Sequence, residues 1–341
     1  EHGGDVYAGD GIFMDFSVNI NPLGMPTSVK QAIIDHVPEY ARYPDPSCRA
    51  LRSAIAAHHG LEASMVICGN GASELIFALC ACFKPQTVLV PAPTFSEYER
   101  AATLFGSEVR EHPLVESDSF ALMESILEDI TAQTQLLFLC NPNNPTGQLA
   151  DPALLCNVAE VCRKNQTLLL LDECFMDFTR GKSMLPHLEK YPNMLILRAF
   201  TKTYAMAGLR LGVLYGADER LLSNIAAHMP TWSVSSVAQA AGIAALQEKD
   251  WIEETQCIVE NERVFMAEAL CSLGLTVYPS DANFLLFKSK RPLAAPLRAH
   301  GVLTRSCENF SGLDERYIRI GLKNHNANLA LLRTMSEVLN G

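Results

Sequence analysis

What the sequence lacks narrows its class first. None of its 11 cysteines stand in a CxxC pair, Cys80 and Cys82 coming nearest. Neither a zinc ribbon nor a disulfide framework is therefore expected, no metal is called for, and a reducing compartment suits the thiols. No apolar run approaches the roughly 18 residues of a membrane helix, and no charged-then-apolar signal segment opens the sequence. The expectation is a cytoplasmic protein with no membrane partner. Positive charge is also short: 27 Lys and Arg against 38 Asp and Glu leave −11 at pH 7. Nucleic acid and anionic membrane surfaces, which need a basic field, are poor partners for such a chain. Repeats and low-complexity tracts are missing too. What is present is 48% hydrophobic residues over 341 positions, enough for one large domain or two unequal ones.

Short apolar runs alternate with helical patterns. Met65–Cys68, Thr87–Val90, Leu136–Cys140, Thr167–Leu171, Met194–Leu197 and Leu211–Tyr215 read as buried strands. Their unbroken apolarity suits a parallel sheet covered on both faces. Asp151 and Pro152 supply an N-cap and an N1 proline for a helix over Ala153–Lys164. A helix after Ser47 ends at Gly60. The class is α/β. Beyond about residue 217 the pattern becomes a long, mostly helical stretch, Glu219–Leu273, with a break near Pro230, then short strands over Thr276–Tyr278, Asn283–Phe287, Val302–Arg305 and Tyr317–Gly321, and a final helix, Asn326–Leu339. The expected division is an N-terminal arm (1–26), a large domain (47–217), and a smaller α+β domain from 27–46 and 218–341.

Ligands of open parallel sheets bind beyond the carboxyl ends of the strands. The polar residues there are Gly69-Asn70-Gly71-Ala72-Ser73, Asn141-Pro142-Asn143-Asn144-Pro145-Thr146-Gly147, Asp172, and Arg198-Ala199-Phe200-Thr201-Lys202. Singly, each has a plain explanation: a turn, a cap, a surface lysine. Jointly they offer an anion cradle, an amide, a carboxylate and a lysine. Pyridoxal phosphate requires that set: a lysine for a Schiff base, a carboxylate for the ring nitrogen, a donor near the phenolic oxygen and a phosphate cradle.

The segment Phe200-Thr201-Lys202-Thr203-Tyr204-Ala205-Met206-Ala207-Gly208-Leu209-Arg210-Leu211-Gly212 resembles the lysine motif of fold-type I pyridoxal-phosphate enzymes of the class I/II aminotransferase family. The Asn-Asn-Pro-Thr-Gly turn and the strand ending in Asp172-Glu173 resemble that family as well. The resemblance implies that Lys202 bonds the cofactor, Asp172 pairs with its ring nitrogen and Asn144 contacts its ring oxygen. It further implies that Gly71, Ala72, Ser73, Thr201 and Arg210 hold the phosphate and that Phe95 stacks on the ring. Tyr43 matches a tyrosine that reaches the phosphate of the other subunit, which implies a homodimer.

Two branches share these motifs, histidinol-phosphate aminotransferases and the L-threonine-O-3-phosphate decarboxylases of cobalamin synthesis. His2-Gly3-Gly4 and Asp15-Phe16-Ser17-Val18-Asn19-Ile20-Asn21-Pro22 resemble the decarboxylase arm. Phe175 stands where the aminotransferases usually carry a tyrosine, and Arg305-Ser306-Cys307-Glu308-Asn309-Phe310 with Tyr317-Ile318-Arg319 again resembles the decarboxylases. The implied roles are Arg319 and Asn144 on a substrate carboxylate, and Arg305, Asn19, Gly3 and His2 on a substrate phosphate. The expected substrate is thus a small phosphorylated amino acid. L-Serine phosphate, histidinol-phosphate amino transfer, and a non-catalytic effector-binding module are the alternatives. Ala199 departs from both branches, which usually carry a serine there.

Overall fold

The computed structural model describes residues 3–7 and 14–340. After a short β1 (Met14–Asp15) come β2 (Val66–Gly69), β3 (Thr87–Ala92), β4 (Glu108–Pro113), β5 (Leu136–Cys140), β6 (Leu168–Asp172), β7 (Met194–Ala199) and β8 (Gly212–Gly216). These last seven form one sheet in the order β2-β8-β7-β6-β5-β3-β4. Adjacent strands are parallel except that β8 runs antiparallel to both β2 and β7. The architecture is α/β with a mostly parallel sheet. Six strands coincide, to within two residues, with the apolar runs; β4 does not. Its Glu-Val-Arg-Glu-His-Pro sequence sits at the sheet edge, largely exposed, where no apolar run is needed.

Side chains alternate across the sheet. Leu136, Phe138, Leu168, Leu170, Leu195 and Leu197 share one core with helices Gly71–Phe83 and Glu97–Leu104. Leu137, Leu139, Leu169, Leu171 and Ile196 face the opposite core, covered by helices Arg49–His59 and Pro152–Asn165. Pro152–Asn165 starts as its sequence requires, with Asp151 Oδ1 accepting from the amides of Ala153 (2.8 Å) and Leu154 (3.1 Å). Gly60 closes Arg49–His59 at φ 67°, a left-handed conformation that glycine adopts without cost.

The second sheet contains β9 (Thr276–Val277), β10 (Phe284–Lys288), β12 (Arg305–Ser306) and β13 (Tyr317–Gly321), all antiparallel in the order β12-β13-β10-β9. Between them β11 (Val302–Leu303) pairs in parallel with β1, so the one strand expected over Val302–Arg305 is divided. The helical stretch Glu219–Leu273 breaks near Pro230, as expected, and again before Trp251, giving helices Glu219–Ala226, Ser236–Ala245 and Trp251–Ser272. Packing differs from the boundary expected at 218. Leu222 and Ile225 join the first core of the large sheet, and Ala238, Ala241 and Ala245 join the second. Helix Thr27–Asp35 follows them through Val29. An alanine-rich helix fits any close approach, and its local sequence does not say which sheet it covers.

Candidate active site

A cavity of about 400 Å³ opens at the carboxyl edge of the large sheet, walled on its other side by the small sheet and the arm. Asp172 ends β6 on the face of Leu168 and Leu170, which aims it into this cavity. Lys202 lies on the single turn Phe200–Thr203 that follows β7, and it too lines the cavity. Ala72 and Ser73 open the helix after β2, where free amides and the macrodipole favour an anion. Gly71 holds φ 79°, and a Cβ there would run into the Arg210 guanidinium. The cradle is thus open only because residue 71 has no side chain. Arg210 itself has φ 61°, an uncommon conformation for a side-chain-bearing residue and one that clusters at functional sites.

The asparagine turn separates one amide from its neighbours. Asn141 Oδ1 accepts from Ala150 N at 2.8 Å, and Asn143 is bonded to Pro93, Thr94 and Thr146. Those side chains build the turn. Asn144 lines the cavity and its Oδ1 accepts from Arg319 Nη1. Arg319 Nη2 also donates to Ser17 O at 2.7 Å, which ties it to the arm. Gly3, Asn19, Phe95, Thr201 and Arg305 line the same cavity. A Cβ on Gly3 would strike the Ser17 carbonyl, so the arm can fold this closely only through glycine.

The resemblance assigns Tyr43 to the other subunit's site rather than to this chain's own cavity. Tyr43 does not line the cavity; it is 79% exposed and stacks on Trp232 with centroids 4.6 Å apart. His2 lies outside the described residues. Tyr98, which belongs to none of the motifs, is also at the site. Its hydroxyl donates to Asp172 Oδ2 at 2.6 Å, and its ring stacks on Phe138 at 4.9 Å. A tyrosine three residues beyond Phe95, in the first turn of helix Glu97–Leu104, is the available signal. Phe310 was passed over as a wall: Arg305 lies over its ring at 5.2 Å while Nη2 donates to Asn309 Oδ1 at 2.6 Å.

Electrostatics set the site apart from the acidic chain around it. Arg305 and Arg319 are direct partners across β12 and β13, and both are buried. Like charges in that register destabilise a sheet, so a pair kept there is suited to anions. Burial and then Arg305 pull the Arg319 pKa down to about 10. Burial, with Arg319 and Arg210 nearby, pulls Lys202 down to about 8, which leaves an appreciable neutral fraction near neutral pH. Burial raises the Asp172 pKa against the hydrogen bonds from Cys174 and Tyr98. Among the described residues, buried Asn19 Oδ1 and Arg319 Nε have no hydrogen-bond partner. A buried carboxylate, a low-pKa amine, a glycine-opened cradle and the unpartnered Arg319 Nε donor fit pyridoxal phosphate and an anionic substrate.

The model of the family "Aminotransferase class I and II" matches residues 11–333. The chain belongs to this family. It is 41% identical to the threonine-phosphate decarboxylase of Salmonella typhimurium, over 96% of this chain and 92% of that one. It is 35% identical to a histidinol-phosphate aminotransferase of Geobacillus sp., over 94% and 89%. Among solved structures, the histidinol-phosphate aminotransferase of Clostridium acetobutylicum superposes with a TM-score of 0.90 at 29% identity, over 95% of this chain and 98% of that one. Class I/II members are enzymes, and the cavity lies beyond the carboxyl ends of the strands, where open parallel sheets bind ligands.

Proposed function

We propose that the protein decarboxylates L-threonine O-3-phosphate to (R)-1-amino-2-propanol O-2-phosphate, using pyridoxal phosphate, in cobalamin nucleotide-loop synthesis. The carrying observation is the opposed, buried Arg305–Arg319 pair beside Lys202 and Asp172, which suits a substrate with two anionic groups. Likeness to the Salmonella decarboxylase over nearly the full chain supports it. So does Phe175, an apolar ring at the cavity wall, 5.0 Å from Phe284, where a phenolic donor is usual in the aminotransferase branch.

When bound, the cofactor supplies a protonated ring that accepts the electron pair left on Cα as carbon dioxide departs. Asp172 holds the ring-nitrogen proton, and Tyr98 holds Asp172. Ala72, Ser73, Thr201 and Arg210 would hold the cofactor's phosphate, and Phe95 and Asn144 would hold its ring. Arg319 grips the substrate carboxylate, and Arg305, with Asn19 and the arm at Gly3, grips the substrate phosphate. By fixing the carboxylate, Arg319 would decide which Cα bond is aligned for cleavage. Lys202 Nζ returns a proton to Cα. The exposed Tyr43–Trp232 stack, away from this chain's own cavity, supports a homodimer in which Tyr43 serves the other protomer.

The test is incubation of the yellow, cofactor-loaded protein with the threonine and serine phosphates. Carbon dioxide and aminopropanol phosphate, formed without a keto acid, are the expected products. Amino transfer to 2-oxoglutarate as the main reaction refutes the proposal.

A further inference from the structure

The residues that follow the two central side chains are joined behind the cavity. Glu173 succeeds Asp172 and Thr203 succeeds Lys202. Arg198 Nε and Nη2 donate to Glu173 Oε2 at 3.2 and 3.1 Å, and its Nη1 donates to Asp177 Oδ1 at 3.2 Å. Asp177 Oδ2 then accepts from Thr203 Oγ1 at 2.9 Å. Glu173 is held in turn by Ser183 Oγ and Met184 N. From the opposite side, Asn21 N donates to Lys202 O at 3.1 Å, while Asn21 Nδ2 and Trp251 Nε1 donate to Thr203 O at 2.7 and 2.9 Å.

The Glu173 side chain is 0% exposed and that of Arg198 14%. None of Glu173, Arg198 and Asp177 lines the cavity. Desolvating such charges costs about as much as their attraction returns, so net stability is a poor reason for keeping them, and a uniquely held conformation is a better one. The network has two ends, one next to the ring-nitrogen carboxylate and one next to the lysine. We propose that the Glu173–Arg198–Asp177 network, acting through the Thr203 hydroxyl, is a positioning device that holds Lys202 at a fixed place relative to Asp172. This rests on the cofactor reading above and adds residues that touch neither cofactor nor substrate.

Thr203→Val is the mild probe, because it removes one hydroxyl and leaves the ion network intact. Thr203→Ser restores the hydroxyl, and Asp177→Asn weakens the network itself. In the cofactor-loaded enzyme, Thr203→Val is expected to lower kcat roughly tenfold, the scale of a small misplacement of a reacting group, with KM little changed. Thr203→Ser is expected to recover kcat. A second readout needs no turnover: the pH midpoint for labelling Lys202 in the cofactor-free full chain. It is expected near 8 in the parent and higher in Thr203→Val, whose lysine is less firmly held in its desolvated site. The groups facing Lys202 are Asp172, Cys174, Arg210 and Arg319, and none is altered. Should Asp177→Asn not fold, the two Thr203 variants decide alone. A folded Thr203→Val with parental kcat and labelling midpoint overturns the positioning role, as does equal loss in Thr203→Ser. A parent chain that takes up no pyridoxal phosphate overturns the cofactor reading instead.

Discussion

Tyr98→Phe isolates one hydrogen bond. The ring remains, with its stack on Phe138 and its edge contact to Phe95 at 5.6 Å, so packing is nearly conserved. What is lost is the 2.6 Å bond to Asp172 Oδ2, leaving that carboxylate with Cys174 N at 2.9 Å on Oδ1. A hydrogen bond to a charged group is worth about 1.5–3 kcal/mol, so cofactor affinity should fall by roughly 10- to 150-fold. The pH dependence has a definite sign. Burial already raises the Asp172 pKa, and removing a donor that favours the carboxylate raises it further. Cofactor binding through the carboxylate is present above that pKa and lost as pH falls through it, so the variant loses it at a higher pH than the parent. Absorbance titration with pyridoxal phosphate across acidic to neutral pH measures both effects. Parental affinity with a parental acid limb, in a folded variant, would refute the assignment of Tyr98 as the support of Asp172.

Other expectations follow from the same geometry. Arg305→Ala and Arg319→Ala should each lower kcat/KM by about one to two decades, the loss of one charge-assisted contact of ~1.5–3 kcal/mol, in carbon dioxide release assays. Cofactor capture by Lys202 should quicken as pH rises through about 8, since the neutral amine is the nucleophile. Arg319→Met should move that midpoint upward by removing a neighbouring cation, which stopped-flow absorbance can follow. Ala199→Ser should tighten pyridoxal phosphate binding, because Ala199 lines the cavity beside Thr201 and adds no hydroxyl of its own; unchanged affinity in titration counts against it. Phe138→Ala, which empties a fully buried ring site under Tyr98, should cost about 3–5 kcal/mol in denaturant unfolding.

Much of this site was legible because its residues sit at strand ends, where a short unbroken apolar run and a turn signal locate them. Asp172, Lys202, Asn144 and the Gly71 cradle belong to that group. The strands themselves were legible for the same reason, except β4, whose edge position removes the apolar signature. Tyr98 was not, since a tyrosine on a helix next to a core face reads as packing until its hydroxyl is placed. Nor was the placement of helix Ser236–Ala245, whose small side chains pack equally well on either sheet, or of helix Thr27–Asp35, which packs beside it.

The sequence by itself determined the α/β class, the run of buried strands and the chemistry gathered at their carboxyl ends, because hydrophobic period and turn residues are local properties. Only the tertiary structure decided that Arg305 and Arg319 face each other across two strands, that Asp172 leans on Tyr98, and that Glu173 and Thr203 meet through Arg198 and Asp177. Those relations join residues up to 74 positions apart in the chain, as with Tyr98 and Asp172. They exist only once the layers have packed, when burial turns separate charges into one cationic pocket within an acidic protein.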